Sequence, residues 1–66
     1  MDNKQIIREI ESDINQGIYD MFPVLKRKLK YISKKLLMSN YIVNDDYKLS
    51  AGEIKILKKN EYYVED

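Results

Sequence analysis

Six cationic side chains, Lys26, Arg27, Lys28, Lys30, Lys34 and Lys35, fall within ten residues with no carboxylate among them. Ammonium and guanidinium groups at this density can neutralise phosphates or meet carboxylates. At helical spacing Lys26, Arg27, Lys30 and Lys34 form one stripe, and Tyr31 lies in the same half of the circumference. An aromatic ring among cations can stack on a nucleic-acid base. Three readings stand side by side: an acidic protein surface, a nucleic acid, or a solvated face partly neutralised by a neighbouring acidic segment. Lys outnumbers Arg five to one in the run. Forked phosphate contacts and base readout favour Arg, so this ratio weighs against nucleic acid.

Other residue types that do chemistry are absent or wrongly spaced. The chain has no Cys and no His, which excludes disulfides and the usual zinc sites. Ser50 has no imidazole to activate it and reads as a helix cap. Asn44, Asp45 and Asp46 with Glu53 downstream lack calcium-loop spacing, and Leu49 stands where a turn glycine would be needed. No glycine-rich phosphate loop occurs. Glu9 and Asp13, four residues apart on one helix, are expected to face solvent as ordinary surface charge. No catalytic residue, metal ligand or cofactor site is assigned, and the chain reads as non-enzymatic.

The elements that would position the basic run follow from apolar spacing. Ile6, Ile7, Ile10 and Ile14 recur at helical intervals and predict a helix over 2–16, capped by Asp2 and ended by Gly17. Ile18 is expected to pack back on it. A second helix is predicted over 21–39, with Asp20 as its cap, Pro23 in its first turn and Ser39-Asn40 as its exit. Met21, Phe22, Leu25, Leu29, Ile32 and Leu36 line its apolar face, opposite the cations. Ser50 and Glu53 form a capping-box pattern that opens a third helix over 51–60. Residues 41–49 read as a short β-hairpin around Asn44-Asp45-Asp46, or as an extended loop.

The expected fold is therefore mainly α, one domain over residues 1–66, with three helices and the hairpin or loop between the second and third. The first two helices should pack antiparallel, since their connection is short. Their charges also differ, at −3 for residues 1–20 and +6 for residues 21–39. Core candidates are Ile6, Ile10, Ile14, Phe22, Leu25, Leu29, Ile32, Leu36, Ile54 and Leu57. The gap between the second and third helices is too long for a helix-turn-helix. The longest apolar run, Leu36 to Met38, is far too short to span a bilayer. A lipid-surface role would need the same apolar face that the core needs.

Sixty-six residues bury only about 60% of the unfolded surface, so stability is thin and a homodimer is one route to further burial. Six tyrosines are too many for so small a core to bury with every hydroxyl satisfied. They are either interface residues or half-exposed surface. Lys, Ile, Asn, Tyr, Met and Phe supply 34 residues, which points to AT-rich coding in a low-GC bacterium, its phage or a plasmid. No secretion signal is visible at the N-terminus, and a cytoplasmic location is expected.

Tyr31-Ile32, Leu36, Asn40-Tyr41, Asp45, Tyr47, Leu49-Ser50, Glu53-Ile54 and Tyr62 together give residues 28–63 a pattern that resembles the Fur-regulated basic protein A family of Bacillus. Asn40 stands where that family usually has Gly, Ala51-Gly52 departs from its usual helix start, and residues 1–20 have no counterpart in it. The resemblance implies a small basic regulator without a known active site. The residues themselves favour a small regulatory protein that binds and modulates another protein through Lys26, Arg27, Lys30, Tyr31 and Lys34. The alternative is a small nucleic-acid-binding transcriptional regulator using the same helix.

Overall fold

The computed structural model describes residues 2–42 and 45–62, which form three α-helices in the order α1 (Asn3–Asn15), α2 (Pro23–Ser39) and α3 (Ala51–Lys59). A single 3-10 turn over Asp45–Tyr47 precedes α3. Among the described residues there is no strand. The expected hairpin is thus not formed by these residues, and its positions Val43 and Asn44 lie outside the described residues. The reason is visible on either side. The Ile42 amide bonds back to the Met38 carbonyl, and the Lys48 amide to the Asp45 carbonyl. Both satisfy themselves locally, in helical fashion, and not across a ladder.

The caps account for where α1 begins and ends. The Asp2 carboxylate accepts from the Gln5 amide at 2.8 Å, satisfying one of the free N–H groups of the first turn. At the other end Gly17 has φ +81°. Its amide donates to the Ile14 carbonyl and that of Ile18 to the Asp13 carbonyl, the Schellman arrangement that a left-handed residue permits. Ile18 does not pack back as expected: it is exposed.

α2 starts two residues later than its apolar pattern suggests. The residue before a proline is pushed out of the helical region, because the ring crowds its backbone. Phe22 accordingly takes φ −129° and ψ 70° and caps α2 without a side-chain hydrogen bond. Asp20 is therefore not the cap; its carboxylate instead meets Lys26 at 2.9 Å. Met21 and Phe22, now outside the helix, point away from the core and are exposed. Phe22 is a core candidate that the structure removes. At the far end Asn40 stays right-handed at φ −73° and does not provide a left-handed exit. The Asn3 amide reaches Ser39 and Asn40 within 3.5 Å, so the start of α1 lies beside the end of α2. The two helices are antiparallel, as expected.

The core is the facing seam of these helices, closed by α3. Ile6, Ile7, Ile10, Leu29, Ile32, Leu36 and Leu57 are buried, and Ile14, Leu25, Leu49 and Ile56 pack around them. Ile54 is half-buried and lies outside this cluster. Two tyrosines complete the core, Tyr19 from the α1–α2 turn and Tyr62 from just beyond α3. Their hydroxyls lie 2.5 Å apart, and that of Tyr62 donates to Asp13. Tyr31 and Tyr41 are exposed and Tyr47 is half-buried; Tyr63 lies outside the described residues. Each Tyr that is buried thus has a partner for its hydroxyl, which the removal of a phenol from water requires.

Candidate functional site

The core takes Leu29, Ile32, Ser33 and Leu36 from α2, and this fixes which residues face out. A helix advances 100° per residue, so Arg27, Lys30, Tyr31 and Lys34 fall on the opposite side, all of them exposed. They span about 10 Å along the axis at 1.5 Å per residue. The predicted site residues are therefore brought together, with one difference among them. Lys26 is engaged within the chain, its ammonium 2.9 Å from the Asp20 carboxylate.

Lys35 is the second cation held internally. Its ammonium lies 2.9 Å from Glu53 and 5.2 Å from the Tyr31 ring centroid. Both side chains of the pair are largely covered, at 17% and 15% exposed. The Glu53 oxygen that meets Lys35 also accepts from the Ser50 amide, while the Ser50 hydroxyl accepts from the Glu53 amide. This is the capping box predicted for α3, extended by one cation from α2. Partial burial works against the ionised Glu53. The Ser50 amide, the Lys35 ammonium and the Ser50 hydroxyl outweigh it and hold the carboxyl below its ordinary value. The hydrogen bond to Glu53 raises Lys35 above its ordinary value against a smaller desolvation effect, with the charges of Glu53 and Tyr31 adding to the rise.

Four cations of the run remain. Arg27, Lys28, Lys30 and Lys34 are exposed and have no ion pair among the described residues. Arg27, Lys30 and Lys34 share a face with Tyr31, which is 59% exposed. Lys28 lies round the helix toward α3, where an open groove of about 660 Å³ separates the two helices. A second hollow of about 500 Å³ adjoins it at the start of α2. Spacing alone does not reveal this groove. The adjoining hollow is bordered by Phe22, which the late start of α2 at Pro23 leaves outside the helix and exposed, and by the exposed Val24. The proline could have signalled the delay.

The arrangement can gather carboxylates or phosphates electrostatically and can lay an aromatic face against a partner. Among the described residues no three acidic side chains lie close enough to hold a metal ion, and no helix is long and apolar enough to cross a membrane. No family model, curated protein or solved structure matches this chain.

Proposed function

We propose that this chain is a small non-enzymatic regulator that binds an acidic surface of another protein through the outer face of α2. The observation that carries the reading is the set Arg27, Lys30 and Lys34, exposed on one side of α2 with Tyr31 and in no ion pair among the described residues, although Glu11 shares a hollow with Lys30 and Asp46 one with Lys34. A cation already paired within its own chain gains little from a partner's carboxylate. These three are not so paired, and a complementary charged surface would speed encounter and fix orientation. Tyr31, at the edge of the patch beside the α2–α3 groove, supplies apolar area with a polar tip, and tyrosine is enriched in interfaces. The regulator would act by occupying the partner's acidic surface. The pattern in residues 28–63 that resembles a family of small basic regulators supports a regulatory role and nothing finer.

The test is a comparison of wild type with the Lys30→Glu/Lys34→Glu variant. Both substitutions are on exposed positions, so circular dichroism and the melting curve should be unchanged. A partner captured from an extract of the source cells should associate with the variant at least tenfold more slowly at low salt. An unchanged association rate would remove the face from consideration. A labelled random DNA duplex, titrated at two salt concentrations, gives the competing outcome. Tight binding whose salt dependence drops by about one unit of slope per lysine removed would assign the face to nucleic acid.

A further inference from the structure

We propose that the groove between α2 and α3 receives the apolar edge of an acidic amphipathic helix from the partner. This rests on the reading of the chain as a binder of acidic protein and adds to it the shape and chemistry of the bound segment. The two hollows meet at Lys28 and Ile56, which line both, and taken together they follow α2 as a trough from Phe22 to Tyr31. Nine residues of helix rise make it about 13 Å long. That accommodates anchors at positions i, i+4 and i+7 of a docked helix, which span about 10 Å.

The lining is apolar where a helix edge would sit and cationic where its flanks would sit. Ile32, Leu25 and Ile56 form the floor. Phe22, Val24 and Tyr31, at 59%, 64% and 59% exposed, stand along the walls. Arg27, Lys28 and Lys59 lie at the rim. Among the described residues Glu53 is the single carboxylate lining the trough, and it is engaged by Lys35 and the Ser50 amide. A basic occupant would meet three cations with no free anion to offset them. A bare polyanion would satisfy the rim and leave the apolar floor in water. An acidic helix with one apolar edge satisfies both, which is the charge complementarity that selects it. Gly52 opens the α3 side: a methyl group there would meet only the Ser50 hydroxyl, at 3.9 Å.

The experiment titrates the 15N-labelled full chain with three synthetic 16-residue peptides. The first carries Leu at i, i+4, i+7 and i+11 with Glu at most other positions. The second replaces each Leu by Gln, and the third replaces each Glu by Lys. The first peptide should shift the amides of Lys28, Gly52 and Ile56 and bind at least tenfold more tightly than the second. The Phe22→Glu/Val24→Glu variant, altered only at exposed positions, should lose at least tenfold in affinity for the first peptide. Equal binding of the two acidic peptides, with shifts confined to Lys30 and Lys34, would overturn the groove and leave the outer face standing. No binding of either acidic peptide at low salt would overturn both readings. Equal binding of the lysine peptide would overturn the charge argument. Concentration-dependent shifts of the groove amides without peptide would assign the groove to a second copy of this chain.

Discussion

The Tyr62 hydroxyl donates to the Asp13 carboxylate, joining positions 49 residues apart in the sequence. Asp13 is half-buried on α1 and Tyr62 is 3% exposed. The contact fastens the segment after α3 to the first helix, and Tyr19 extends it to the α1–α2 turn. Removing the Tyr62 hydroxyl leaves a half-buried carboxylate without its donor and the Tyr19 hydroxyl without its partner. Tyr62→Phe should therefore cost about 1–3 kcal/mol. Urea unfolding followed by circular dichroism should show a lower midpoint at unchanged slope. An unchanged midpoint would mean that water replaces the phenol at no cost.

Two helix ends use the same backbone device with different residues. Gly17 has φ +81° and Glu61 has φ 64°. The amides of Glu61 and Tyr62 bond to the Lys58 and Leu57 carbonyls, the pattern that Gly17 and Ile18 make at the end of α1. The left-handed conformation suits glycine and costs other residues roughly 1 kcal/mol or more. Glu61→Gly should stabilise the protein by about 1 kcal/mol. Gly17→Ala should destabilise it by roughly 1 kcal/mol or more through its left-handed backbone, while the exposed Asp20 carboxylate, 2.9 Å from the new methyl, can swing aside. Thermal melts of the two variants should move in opposite directions.

The start of α3 offers a second opposed pair. Ser50→Ala removes the acceptor for the Glu53 amide and should cost about 1 kcal/mol. Gly52→Ala adds a methyl group in open space within the first turn and should gain roughly 0.5 kcal/mol. Gly52 also lines the groove, so small side chains there separate stability from binding. A lower melting temperature for Gly52→Ala than for wild type would mean that the space beside Gly52 is not open to a methyl group.

Stability should fall at both extremes of pH for identifiable reasons. Glu53 is held below its ordinary value of 4.5. Its contribution is present above about pH 4.5 and is lost as pH falls through the lower folded value. Burial, then donation to Asp13 and the contact with Tyr19, push Tyr62 far above its ordinary 10.0. Folding therefore favours the neutral phenol, and its contribution is present below pH 10 and declines as pH rises above it. Glu53→Gln should flatten the acid limb of the stability profile and Tyr62→Phe the alkaline limb. Chemical denaturation from pH 2 to 12 reads both, and parallel profiles for wild type and variants would refute the assignments.

The helices were legible because their apolar residues recur at helical spacing and their caps are written in short motifs. Asp2, Gly17, Ser50 and Glu53 all take the places that their types imply. The late start of α2 was open to inference from Pro23, whose ring restricts Phe22, but the run of apolar residues from Met21 argued the other way. The role of Asp13 could not be read locally, because its partner Tyr62 is brought to it only by the packing of α3. Of the basic run, the sequence conveys the concentration of charge. It does not convey that Asp20 and Glu53 each hold one of its cations, since those pairings depend on a turn and on a second helix.

The tyrosine contact also bears on the order of events in folding. α1 and α2 are joined by a short turn, so their seam closes a small loop and can form early. The bond from Tyr62 to Asp13 closes a loop of 49 residues and requires α3 to be in place. Its large loop leads us to expect that it forms after the rate-limiting step. Its loss should then appear almost entirely as faster unfolding, with refolding of Tyr62→Phe close to that of wild type. In that sense a phenol and a carboxylate serve this cysteine-free chain as a latch that sets how long the folded state persists.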